Sequence, residues 1–88
     1  MIISTQQLAI DGVAVKMVSA SQTPKIVYIH AKVGGDLYIN GSSEVTALTG
    51  FLVDKASGVF QVQVDADDEI WGISGAGTHT FCVMQVSL

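Results

Sequence analysis

The chain has 88 residues, with eight acids, four lysines and no arginine, for a formal net charge of −4. The lysines (Lys16, Lys25, Lys32, Lys55) are scattered, which excludes a phosphate-tracking or base-reading surface, so no nucleic-acid partner is expected. Apolar residues make up 49% of the chain at a mean hydropathy of +0.48. Even so, the uninterrupted apolar runs fall far below the ~20 residues that span a bilayer, so no membrane segment is expected.

A domain of this size has too much surface for its volume to hide that many apolar side chains. The excess is expected on surfaces shared with other subunits, as in a homo-oligomer. The opening "MIISTQQLAI" lacks the basic residues of a secretory leader and is not read as one. Cys82 is the single cysteine, so no disulfide can form within the chain and the redox compartment stays open.

In chain order, "IISTQQLAI" reads as a weak first strand, closed by the turn signal Asp11-Gly12. "VAVKMVS" follows as a second strand, and Pro24 punctuates the chain before "KIVYIHAKV". There Val27, Ile29, Ala31 and Val33 fall on one face, with Ile26, Tyr28, His30 and Lys32 on the other. Gly34-Gly35 precedes the strand around Tyr38, which ends at Asn40-Gly41. "SSEVTALTG" reads as a connection with at most a helical turn, and Phe51-Leu52 opens the next strand. After Ser57-Gly58, "GVFQVQVD" alternates Phe60, Val62 and Val64 against Val59, Gln61, Gln63 and Asp65. "EIWGIS", the turn "SGAG" and "THTFCVMQVSL" complete the chain. The last segment sets Phe81 and Val83 against Cys82, Met84 and Val86, apolar on both faces, as in a strand buried in a sandwich or between subunits.

Glycine at these turns supplies positive φ. The spacing predicts an all-β chain: a small antiparallel β-sandwich or barrel of about seven or eight short strands, as one domain over 1–88. Two hairpins are expected, the Tyr28 strand with the Tyr38 strand and the Trp71 strand with the Phe81 strand.

Few residues offer chemistry. "DADDE" (Asp65 to Glu69) raises the question of calcium, but an EF-hand loop places Gly sixth and a bidentate Glu later. Ile70 occupies the sixth position and no such Glu follows, so solvated acids at a strand-to-strand corner are expected. His79 and Cys82 lie three apart on one strand, hence on opposite faces and ~10 Å apart. With His30 read as an ordinary strand residue, no zinc site assembles, since a structural one takes four ligands. No nucleophile, base and orienting group converge, so no enzyme activity, cofactor or metal is expected. The aromatic residues Tyr28, Tyr38, Phe51, Phe60, Trp71 and Phe81 read as packing groups, because a single-strand platform comes with a basic groove. "LYINGSSEVTALTGF" lacks the several glycines and following helix of a phosphate cradle.

"LYINGSSEVTALTGFLV" and "VFQVQVDADDEIWGISGAGTHTFCVM" together resemble a pattern of tailed-bacteriophage virion proteins. The matching positions are Tyr38, Gly41-Ser42, Val45-Thr46, Gly50-Phe51, Asp68-Glu69-Ile70-Trp71, Gly77-Thr78 and the strand Phe81 to Met84. The resemblance runs from about Val27 to the C-terminus. It departs at Asn40, where Gly is commoner, and at Trp71, where Tyr is usual. It implies a small β-sandwich decoration or cement protein, made in the host cytoplasm and placed on the virion head. The implied partners are the major capsid protein and two further copies in a homotrimer. Met1, Ile2, Ile3, Ser4 and Thr5 are expected as an extended interface arm that adds a strand to a capsid edge. The alternatives are a head-fibre, neck or tail-associated module, or a soluble carbohydrate- or calcium-binding module built on the Asp65–Glu69 corner and Trp71.

Overall fold

The computed structural model describes residues 2–32, 35–53 and 58–88. Met1 of the expected arm, Val33 and Gly34 of the third strand and its turn, and Lys55 and Ser57 lie outside them. Eight strands follow one another among the described residues: β1 (Ile3–Ile10), β2 (Val15–Val18), β3 (Lys25–Ala31), β4 (Leu37–Asn40), β5 (Phe51–Val53), β6 (Phe60–Val64), β7 (Ile70–Ser74) and β8 (His79–Ser87). They form two antiparallel four-stranded sheets in the orders β1-β8-β3-β6 and β2-β7-β4-β5. The expected all-β sandwich is the fold of this chain.

Both expected hairpins are corrected. β3 pairs with β8 and β6 rather than with β4. β7 pairs with β2 and β4 rather than with β8. Every connection but β4 to β5 crosses from one sheet to the other, the order of a jelly roll. A glycine-rich turn bends the chain but does not choose the sheet. At "SGAG" the choice is made by distant partners: Ser74 N donates to Asp11 O at 2.8 Å. Within the corner, His79 Nε2 sits 2.7 Å from Ala76 O and Gly77 adopts φ +71°. The Ser74 amide therefore spends its hydrogen bond on the β1–β2 loop instead of on β8.

The core lies between the sheets and draws on both. Ile10, Val27, Ile29, Phe81 and Val83 come from the first sheet, and Met17, Val18, Leu37 and Ile70 from the second. Each such side chain contributes about 1.5–3 kcal/mol when fully buried. The alternation expected in β3 holds, with Val27 and Ile29 fully buried and Tyr28 half-buried on the outer face. Lys25 shares the inward face, and its stem is buried among the strands. Its ammonium escapes to the rim, donating to Ser19 O at 2.7 Å and to Ser21 Oγ at 3.2 Å, as a long amphipathic side chain does. Gly72, inside β7, marks the closest approach in the core. A Cβ there would lie 2.5 Å from Met17 Sδ and 3.0 Å from Leu37 Cδ1, so a side chain would overpack the site.

"SSEVTALTG" is a connection, as expected, and it is tied to the sandwich by one plug. Val45 is 2% exposed while its neighbours face water. Thr46 and Thr49 cross-brace the loop, each backbone N–H donating to the other's hydroxyl at 3.1 and 3.2 Å. Gly50 N closes it on Thr46 O at 2.8 Å.

Candidate functional site

The acidic stretch is a corner between β6 and β7. Asp67 N donates to Ser21 O at 2.8 Å, Asp68 N to Asp65 O at 3.2 Å, and Asp67 takes φ +69°. The carboxylates fan outward from this turn. Among the described residues, no three groups of the His, Cys, Asp and Glu types are placed to hold a metal ion.

Glu69 instead turns back onto the outer face of the second sheet. Its Oε1 accepts from Trp71 Nε1 at 3.1 Å and its Oε2 lies 3.1 Å from Lys16 Nζ. Lys16 Nζ stands 5.5 Å from the centroid of the Trp71 ring, a cation–π distance. The ring face and the indole N–H are both engaged within the chain. That removes the features by which Trp71 would serve as a carbohydrate platform.

The Trp71 hydrogen bond, and then that of Lys16, hold the Glu69 carboxyl below its ordinary range, against a smaller opposing effect of burial. A depressed carboxyl contributes stability above its unfolded pKa and loses it as pH falls through the folded one. Acidification is therefore expected to change Trp71 fluorescence with a midpoint below that of an ordinary glutamate. Glu69→Gln should abolish the transition, and a midpoint at the ordinary value would refute the clasp.

His79 and Cys82 lie on opposite faces of β8, as expected from their spacing. His79 pairs across β1 with buried Ile10, while Cys82 points outward. His30, read from the sequence as an ordinary strand residue, is placed by β3 directly opposite Cys82 in register, a pairing the sequence reading missed. Both residues occupy outward strand positions, but only the register makes them neighbours. They line a shallow outer groove of ≈ 520 Å³ with Thr5, Gln7, Tyr28 and Met84. No carboxylate lines this groove.

The three described lysines are dispersed in space as in sequence. Lys16 is engaged by Glu69, Lys25 by Ser19 and Ser21, and Lys32 by Gln7 at 3.2 Å. No helix among the described residues is long and apolar enough to cross a membrane.

The sides of the sandwich offer more than its faces. β1 edges the first sheet and β2 the second, joined by a short loop. β6 and β5 form the opposite side, where Phe51 and Phe60 meet at 5.7 Å between ring centroids. Protected edges are short, charged or bulged. β2 carries Lys16 and a register shift between Lys16 and Val18, and β5 has three residues. β1 has no such protection. Its eight residues, "ISTQQLAI", carry neither charge nor proline and pair with β8 without a register shift from Ile3 to Ile10. Ile3, Ser4 and Thr5 of the expected arm are thus the start of a sheet edge, paired with Val86, Gln85 and Met84.

Besides Leu48 in the β4–β5 loop and Leu88 after β8, the exposed large apolar residues among those described lie at the same two sides. Ile2 precedes β1, Ile3 begins it and Val13 follows it, at 71, 61 and 70% exposure. Phe51 and Leu52 belong to β5 and Val59 precedes β6, at 63, 44 and 59%. A cleft of ≈ 420 Å³ opens on the second side, lined by Ile39, Phe51, Phe60, Val62 and Ile70 among others.

No family model matches the chain, and no curated protein matches it in sequence. A solved structure from Bacillus endospore appendages, described as forming a novel family of disulfide-linked pili, has a similar fold. The match covers 98% of this chain and 88% of that chain, at 18% identity and a TM-score of 0.50. The likeness is one of fold.

That match overturns the phage reading. The chain aligns nearly end to end with a protein of bacterial appendages, not of a virion. The expectations of capsid decoration or cement, of a head-fibre, neck or tail module, of a major capsid protein partner and of a place on the phage head are withdrawn with it. Several of the residues behind the resemblance have structural duties in this sandwich. Gly50 lets the backbone pass where a Cβ would meet Tyr38 Cβ at 2.8 Å and Val45 Cγ2 at 2.9 Å. Val45 plugs the loop, Gly77 takes positive φ, and Phe81 fills the core. The pattern reports sandwich geometry rather than virion membership.

Proposed function

We propose that these 88 residues act as a non-catalytic building block that joins copies of itself through the sides of its sandwich, as a subunit of a pilus-like fibre. The observation that carries this reading is β1, a regular, uncharged, unprotected edge of eight residues. Such an edge is a template for strand addition. The likeness in fold to a chain of Bacillus endospore appendages, which form pili, supports it.

Strand parity supports a head-to-tail contact. In the order β1-β8-β3-β6 every neighbour is antiparallel, so β1 and β6 run in opposite directions. A copy shifted sideways in the same orientation sets its β6 antiparallel to β1, and the alternation continues. The second sheet behaves alike, since β2-β7-β4-β5 is also even and antiparallel. The contact also brings the apolar residues around β1 onto those around β5 and β6.

A heterologous contact of this kind grows into a filament, or closes into a ring when its rotation allows. The trimer implied by the phage resemblance is the smallest such ring. Light scattering at rising concentration separates these outcomes. Mass that climbs without a plateau, with fibres under the electron microscope, is the expected result. A plateau at three copies would identify a closed trimer. A monomer at every concentration would overturn self-assembly.

A further inference from the structure

We infer that an assembly of these 88 residues is held together without disulfide bonds, unlike the disulfide-linked pili to one of whose chains they are similar in fold. The inference rests on the self-assembly reading above and concerns the chemistry of its contacts. Two independent observations carry it, one a matter of counting and the other of distance.

The first is valence. A covalent polymer requires each subunit to bond a neighbour on either side, hence two half-cystines per subunit. The chain has one cysteine, Cys82. Two thiols that join, together losing two electrons and two protons to an oxidant, are both spent. Covalent growth stops at a pair.

The second is position. Cys82 lies in β8, inside its sheet, with β1 and β3 on either side, and its side chain leaves through the outer face beside Gln7 and His30. In the side-by-side contact, one β8 is separated from the next by four strand spacings, ~19 Å at about 4.8 Å each. A disulfide requires Cα atoms within about 7 Å. The contact that propagates the assembly therefore cannot be stapled by Cys82. Any Cys82–Cys82 bond would link two sheet faces, across the direction of growth.

Cohesion falls instead to the backbone hydrogen bonds of the paired edges and to the apolar residues brought together there. These are the exposed Ile2, Ile3 and Val13 on one side and Phe51, Leu52 and Val59 on the other. Neither contribution depends on redox state.

The test assembles the wild-type chain and Cys82→Ser side by side, with and without dithiothreitol, and follows mass and morphology by light scattering and electron microscopy. Circular dichroism confirms that the variant is folded. The dithiothreitol arm on the wild type requires no mutation. The expected result is assembly of the same mass and form in all four samples, with bands no larger than a dimer on a non-reducing gel. Wild-type assemblies that dissolve in dithiothreitol, or covalent ladders above the dimer, would overturn the inference while leaving self-assembly standing. A wild-type chain that stays monomeric in both buffers would overturn the self-assembly reading, and this inference with it.

Discussion

Gln6→Lys is expected to leave the domain folded and abolish its self-association. Gln6 lies in the middle of β1, exposed, and pairs in register with Val83, whose side chain is buried in the core. Its side chain therefore leaves the edge on the inward side, at the mouth between the sheets. In the isolated subunit a lysine there reaches water, and substitutions at such exposed positions change stability by roughly 0.5 kcal/mol or less. When β6 of a second copy docks, the same ammonium is trapped at the new seam against a strand whose five residues carry no carboxylate. Inward-pointing charges of this kind are a device by which natural sheets block edge pairing. Stranding the charge costs at least about 2 kcal/mol, on the order of 30-fold in association. The urea midpoint and the concentration dependence of light scattering, measured on one preparation, read the two effects separately. Undiminished assembly of Gln6→Lys would show that β1 is not the contact.

Phe81→Ala carries the largest expected loss of stability. Phe81 is 1% exposed and heads the fully buried side chains. It projects from β8, flanked by β1 and β3, into the apolar cluster shared by both sheets. Truncation removes the ring's transfer energy and leaves a cavity that paired strands on either side cannot readily collapse. The expected cost is about 3–5 kcal/mol, against a total of roughly 5–15 kcal/mol for a domain. Phe81→Leu keeps most of the volume and should cost about 1 kcal/mol. Urea denaturation should show the alanine midpoint falling sharply at an unchanged slope. A loss of less than about 1 kcal/mol would mean that the core is not centred on this ring.

The residues of the candidate surface were partly legible beforehand. Excess apolar composition announced shared surfaces, and Ile2, Ile3, Phe51 and Leu52 are exposed as such surfaces require. Trp71 and the Asp65–Glu69 corner drew attention for the right reason, since aromatics and clustered acids can bind. Their roles were hidden because Lys16 is far from both in sequence. Only the pairing of Lys16 with Trp71 across β2 and β7 brings ammonium, ring and carboxylate together. The pairing of His30 with Cys82 was hidden for the same reason.

The all-β character, and the core faces of β3 and β6, could be read from the residues alone. Side chains alternate along a strand by backbone geometry alone, so Val27 and Ile29 declare a core side wherever their strand is placed. The single cysteine likewise limits covalent linkage before any coordinates are known. Which strand lies beside which is settled only in the folded chain. The turn at "SGAG" and the strands flanking it permit a hairpin, yet Ser74 N is claimed by Asp11 O and the chain crosses to the other sheet. Sheet membership is settled by packing and hydrogen bonding between segments distant in sequence. For that reason the bare edge at β1, on which the proposed assembly depends, becomes visible only in the folded chain.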